Sequence, residues 1–255
     1  MTTHLVIPDC HAHPDHNNDR ADLLSNLIYD LRPEKVVNMG DTWDFPSLSS
    51  YDRGTKSFVG RNYQADLESG QEFNDRIFSK IRKAKKKQPK KYFLEGNHEH
   101  RQEKAIQTQP ELEGAPYGLS FSNLQLEKHY DEIIRYEGGT PGILSLDGIA
   151  YAHYFVSGSM GRPIGGLHHA NSLVSKNLVS STAAHSHTVD WDVRNSTSGK
   201  TLMGLVAGVF QDYDSDWAGV SNNQWWRGVV VCRNVEDGVY DPQFISMKRL
   251  KEEYA

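Results

Sequence analysis

Five short groups of polar residues stand out by type and spacing: Asp9-x-His11, Gly40-Asp41-x-x-Asp44, Gly96-Asn97-His98-Glu99, His153, and His185-x-His187. Each follows a short apolar run, so each sits at the end of a strand-like segment, where α/β proteins gather their ligands. Two carboxylates, one amide and up to four imidazoles exceed what one tetrahedral ion can use, and two ions are implied. Asp and Asn combined with His suit Mn, Fe or Zn better than Ca or Mg, and the absence of a cysteine donor argues against a structural zinc.

Taken singly, these residues have ordinary explanations. A lone Asp before a helix is more often a cap than a ligand, which applies to Asp9 or Asp41 alone but not to the set. Cys10, between two donors, reads as a small buried filler. Contact with phosphate and a solvated loop position remain equally open for His13 and His100. The pair His168-His169 opens a helix after the glycine-rich stretch 158–166, where a flexible connector is the simpler reading. Trp217, Trp225 and Trp226 follow the last group; a base could stack there, with core or sheet packing the default for at least two of them.

The elements that must position these groups follow from the hydrophobic pattern. His4–Pro8 reads as a buried strand, residues 19–31 as a helix with Leu23, Leu24, Leu27, Ile28 and Leu31 at three- and four-residue spacings, and Lys35–Met39 as a second strand. Strand, helix, strand is a βαβ unit. A loop over 45–62 borders the site, and a long amphipathic helix is expected over 63–87, burying Leu67, Phe73, Ile77, Phe78 and Ile81. Lys90–Glu95 is the third strand, and 101–131 reads as a polar insertion. Beyond it, strands are expected at 132–136, 142–146, 149–155, 181–185, 188–194, 201–206, 225–232 and 239–247, with Asp147-Gly148 as a hairpin turn and one helix over 167–176. With no repeat and no linker, the chain reads as one domain over 1–255 with loop insertions near 45–62 and 101–131.

In order and spacing, the five groups resemble the calcineurin-like metallophosphoesterase superfamily, whose blocks run D-x-H, G-D-x-x-D, G-N-H-[DE], H and G-H-x-H. The likeness covers residues 9–187, and one departure is visible: Ala184 stands where the family has Gly. The resemblance implies a four-layer α/β/β/α sandwich, two mixed sheets flanked by helices. It implies that Asp9, His11 and His187 hold one divalent ion and Asn97, His153 and His185 a second, with Asp41 bridging. Mn fits best as the metal, with Fe, Zn or Ni as alternatives. It further implies catalytic roles for His98, which faces the substrate and assists the leaving group, and for Asp44, which orients it.

General chemistry agrees. Two cations about 3.5–4 Å apart repel strongly unless a carboxylate lies between them. A water they share loses its proton near neutral pH, and the resulting metal-bridging hydroxide attacks phosphorus in line while the ions neutralise the phosphate oxygens. A charged His98 beside Asp44 would protonate the leaving group.

The substrate expectation rests on what is missing. Protein phosphatases of the superfamily extend the second block with Arg and precede the third with Arg, gripping a phosphomonoester dianion. Here Phe45-Pro46 follows Asp44, and Glu95 precedes Gly96. A phosphodiester, in nucleic acid or derived from a nucleotide, is therefore favoured over a protein or small-molecule phosphomonoester; Arg53, Arg101 or Arg162 could compensate from loops. A binding protein that has lost activity would show degenerate ligand positions, and none is degenerate.

Composition sets the frame. The 255 residues carry 28 Lys+Arg against 33 Asp+Glu, a net charge of -5, which excludes the broad cationic field of a general nucleic-acid binder. Eight cations crowd residues 80–91, but this run precedes the third strand and reads as a solvated helix end rather than a phosphate track. Two cysteines cannot build a disulfide framework, no secretory leader opens the chain, and no apolar run reaches membrane-spanning length, so a reduced cytoplasm fits best.

Overall fold

Alternation of apolar side chains along the strands decides how the layers stack. The computed structural model describes residues 2–85, 87–115 and 117–255. Strands β1 (Thr2–Ile7), β2 (Lys35–Asn38), β3 (Lys90–Leu94) and β4 (Glu132–Ile134) run parallel as neighbours in that order. Helices α1 (Arg20–Leu31), α2 (Tyr63–Ile77), α3 (Ser79–Lys83) and α4 (Arg101–Thr108) lie between them in sequence. Short strands β5 (Leu144–Leu146), β6 (Ile149–Tyr151), β7 (Val156–Ser157) and β8 (Arg162–Pro163) come next, then α5 (His169–Asn177), β9 (Ser180–Ala183), β10 (Val189–Asn195) and β11 (Thr201–Ala207). The chain ends with β12 (Gly228–Glu236), β13 (Val239–Ser246) and α6 (Met247–Tyr254).

Two mixed sheets result, ordered β13-β12-β1-β2-β3-β4 and β10-β11-β9-β6-β5. In the first sheet, Leu5, Ile7, Val36, Phe93, Val229 and Val231 face a core shared with Leu24 and Ile28 of α1 and Phe73 and Ile77 of α2. The alternate residues Val6, Val37, Tyr92, Leu94 and Val230 face Ile149, Tyr151, Leu205 and Ala207 of the second sheet. Its other face, with Ala150, Ala183 and Val206, packs on Leu173 and Val174 of α5. Period-two alternation thus gives each sheet two apolar faces, as expected for sheets covered on both sides.

Several elements depart from the sequence expectation. The helix expected over 63–87 breaks at Phe78, because the Lys80 N–H donates to the Ser25 hydroxyl of α1 at 3.2 Å instead of continuing the helical ladder. Lys86, within the basic run, lies outside the described residues. The 101–131 stretch is not a plain loop: it begins with α4 and continues through short 3-10 turns. Residues 225–227 precede β12 instead of opening it. Asp147-Gly148 does join β5 to β6, both residues with positive φ. Among the described residues no helix is long and apolar enough to cross a membrane.

Candidate metal centre

All five polar groups emerge at the carboxyl ends of parallel strands. Asp9 and His11 follow β1, Asp41 and Asp44 follow β2, Asn97 and His98 follow β3, His153 follows β6, and His185 and His187 follow β9. The loops are stitched to one another: the Asp41 carbonyl accepts the Cys10 and His11 N–H groups, each at 2.9 Å, and Ala184 N–H donates to the His153 carbonyl at 3.0 Å. His11, Asp41, His185 and His187 all hold positive φ, between 46° and 66°. For non-glycine residues such conformations cost energy and collect at functional sites. Ala184, where the resemblance leads one to expect Gly, is not among the positive-φ residues, and its methyl group is buried between the sheets. Gly96 has no such freedom to change. A Cβ there would stand 2.2 Å from Asp41 Oδ1, so only glycine lets the Asp41 and Asn97 loops meet.

Side-chain donors form overlapping groups: Asp9 with His11 and His187, Asp41 with His153 and His185, and Asp41 with His11 and His98, the donor atoms in each within 4.8 Å of one another. Asn97 Oδ1 joins the second group, 3.0 Å from His153 Nε2. Asp41 therefore stands between two histidine clusters. Hydrogen bonding assigns the ring protons. His153 Nδ1 faces the Met39 carbonyl at 2.9 Å and must carry hydrogen, which leaves Nε2 turned toward Asn97 Oδ1 and toward Asp41 Oδ2 at 3.2 Å. His11 Nδ1 donates to Asp44 Oδ1 at 3.0 Å, which leaves its Nε2 3.0 Å from His187 Nε2. Asp9 Oδ2 is buried 3.0 Å from His187 Nε2. Nε2 of His11 thus faces Nε2 of His187 while the Asp9 and Asp41 carboxylates crowd the same spot, an arrangement that a cation resolves.

Electrostatics points the same way. Burial alone would lower His153, but Asp41 and Asp9 outweigh it and raise the ring to about 10. The pocket demands positive charge. Burial acts to raise Asp9 and Asp41, yet the surrounding imidazoles hold both carboxyls below their usual range. His185 is pushed down to about 4 by burial and by its neighbour His153, so its ring is neutral with a lone pair to give. The donor set fits hard-to-borderline divalent ions bound by oxygen and imidazole. Asn97 and His185 are the more exposed of the seven candidate ligands, the other five being buried.

His98 differs from the sequence expectation in its charge. Its Nδ1 donates to the Asp44 carbonyl at 2.6 Å, and its Nε2 accepts from Arg101 Nη2 at 3.0 Å. Burial and then Arg101 lower its pKa, so the ring is neutral rather than charged. Asp44 meets two rings, since the same carboxylate oxygen that pairs with His11 lies 3.3 Å from His98 Nδ1. Phe45, where an arginine would grip a monoester, is fully buried in the core. Arg101 reaches the site but also donates to the Asp44 and Phe45 carbonyls.

Three further residues support these loops: Glu99, expected from the sequence to cap or pair locally, and Arg20 and Tyr213, which the sequence does not mark. Glu99, 1% exposed, accepts the N–H groups of Asp41, Trp43 and Gly96 at 2.9 to 3.0 Å, joining the second and third loops. Arg20, buried on α1, donates to the Cys10, Asn17 and Phe210 carbonyls and fixes the first loop. Tyr213 donates its hydroxyl to the His11 carbonyl. Arg20 and Tyr213 belong to no motif, whereas Glu99 closes the Gly96-Asn97-His98-Glu99 group and reaches across to the Asp41 loop. Cys10 is a buried filler whose thiol donates to the Pro8 carbonyl. His100 stacks on Tyr136 and contacts Glu95 Oε1 at 3.2 Å, which makes it part of the scaffold. His13 is half-buried, 3.9 Å from Asp44 Oδ2.

No family model and no curated protein matches this chain. Among solved structures, TT1561 of Thermus thermophilus is similar to it at 9% identity, covering 95% of this chain and 98% of that chain with a TM-score of 0.33.

Proposed function

We propose that the chain is a calcineurin-like metallophosphoesterase: a phosphoric ester hydrolase that uses two divalent ions, Mn by preference, to cleave a phosphodiester from nucleic acid or a nucleotide. The observation that carries this reading is Asp41, buried between two clusters of imidazoles, with His153 Nε2 3.2 Å from its carboxylate and the Nε2 atoms of His11 and His187 3.0 Å apart. The layering of helices, two sheets and α5 supports a four-layer sandwich of that superfamily. Asp9, His11 and His187 would hold one ion, Asn97, His153 and His185 the other, and Asp41 both. When bound, such ions lower the pKa of water to about 7 and neutralise phosphate oxygens.

The chain's own residues supply orientation and proton transfer. Asp44 holds the His11 tautomer and places His98, and Arg101 donates to His98 Nε2. An anionic phosphoryl group beside the neutral His98 ring would raise its basicity and draw Arg101 off Nε2, letting Nε2 take up the proton lost by the attacking water and pass it to the leaving oxygen as the P–O bond breaks. A buried Phe45 and a Glu95 engaged with His100 and Tyr136 provide no dianion clamp, which favours the diester. Hydrolysis of bis-p-nitrophenyl phosphate by the Mn-loaded protein tests this; a rate confined to p-nitrophenyl phosphate would shift the reading to a phosphomonoesterase.

A further inference from the structure

The segment 211–226 borders the His11 and His187 side of the pocket and brings aromatic rings to it. Trp225 meets His187 with ring centroids 4.3 Å apart at 90°, and the Trp226 N–H donates to the His187 carbonyl at 3.0 Å. Trp217 packs on Trp225, centroids 5.6 Å apart, and yet is 67% exposed. Its loop is held firmly. Asn222, 8% exposed, accepts the Ser215 N–H at 3.0 Å and donates to the Ser215 and Gly219 carbonyls, both at 2.9 Å. A buried polar clamp thus keeps a large aromatic face in water, two ring contacts from a candidate ligand.

Charge narrows what that face can receive. In the same segment the nearby cations are engaged by carboxylates, Lys251 by Asp212 at 3.0 Å and Arg227 by Asp214 at 2.5 Å, with Asp216 a third acid, and the described cations of the 80–91 run sit toward the amino end of β3, opposite Asn97. Long single strands are normally bound by stacking along a positive groove. Here the stacking surface is present beside acidic groups.

We propose that Trp217, backed by Trp225, stacks the nucleobase of a nucleotide whose phosphate occupies the Asp41 pocket, so that the substrate is a short nucleotidyl diester rather than a long nucleic acid. The inference rests on the phosphoesterase reading above. Calorimetric titration of the Mn-loaded protein with AMP and with ribose 5-phosphate, which differ only in the base, tests it without requiring turnover. The wild type is expected to favour AMP, Trp217→Ala to shrink that preference by about 5- to 100-fold, and Trp217→Phe to retain most of it. An equal preference in Trp217→Ala and wild type would overturn the proposal, as would a long single-stranded DNA that outcompetes AMP with a steep salt dependence. Failure of the wild type to bind any of the three, AMP, ribose 5-phosphate and the single-stranded DNA, would instead remove the phosphate-site reading on which the proposal stands.

Discussion

His11 Nδ1 lies 3.0 Å from Asp44 Oδ1, and that contact fixes which nitrogen of His11 faces the pocket. Ligand imidazoles held by a carboxylate keep their tautomer and gain basicity. Asp44→Asn is therefore expected to weaken Mn binding at the Asp9 cluster by about 10- to 100-fold while the fold persists. Calorimetric metal titration checks this, and unchanged affinity would deny Asp44 the role.

His98 should separate binding from turnover. Because its ring touches Asp44 and Arg101 while its main-chain N–H donates to Asp41 Oδ1 at 2.7 Å, His98→Ala removes the ring and retains the backbone bond. Metal content is expected to persist and kcat to fall by about 10²- to 10⁴-fold. Loss of metal in this variant would move His98 among the ligands.

Gly96→Ala tests how closely two loops must approach. The new methyl group would collide with Asp41 Oδ1 and the Asp41 N–H, at 2.2 and 2.3 Å. The variant should lose metal and melt several degrees lower, whereas Gly54→Ala, whose Cβ would meet nothing within 4 Å, should retain metal despite its positive φ. Equal metal content in the two would show that the contact is not required.

Asp66 gives a pH-dependent term. Burial is the main cause raising its carboxyl to about 6, against the Ser47 O–H and N–H bonds to Oδ2 that oppose the shift. Oδ1 is buried without a partner. A raised acid binds its proton more tightly when folded, so its contribution to stability declines as pH rises from about 4 to about 6, by up to about 3 kcal/mol. Denaturant titrations of Asp66→Asn should show stability gaining on the wild type over that window. A constant difference would contradict the assignment.

The convergence of the five polar groups was legible in the sequence because each follows an apolar strand, and strands in α/β folds deliver their carboxyl ends to one edge. Residues that hold the loops together were not. Arg20 and Tyr213 act on main-chain groups, and a main-chain acceptor leaves no mark on residue spacing. The same reason hid the break at Phe78, which depends on the Ser25 hydroxyl of another helix. By contrast, α6 was readable: Ser246 caps it by accepting the Arg249 N–H, and Met247 and Leu250 bury one face. Reading 239–247 as the last strand stopped one element short. His98 was placed correctly beside Asp44, but its charge depends on burial and on Arg101 and could not be read from types alone.

Counting divalent ions measures the central claim most directly. Chelator-stripped protein, reloaded with Mn and assayed by elemental analysis, is expected to hold two ions per chain, and Asp41→Asn no more than one. A wild-type chain that holds none, or a count indifferent to Asp41, would contradict a centre built on one carboxylate between two imidazole clusters.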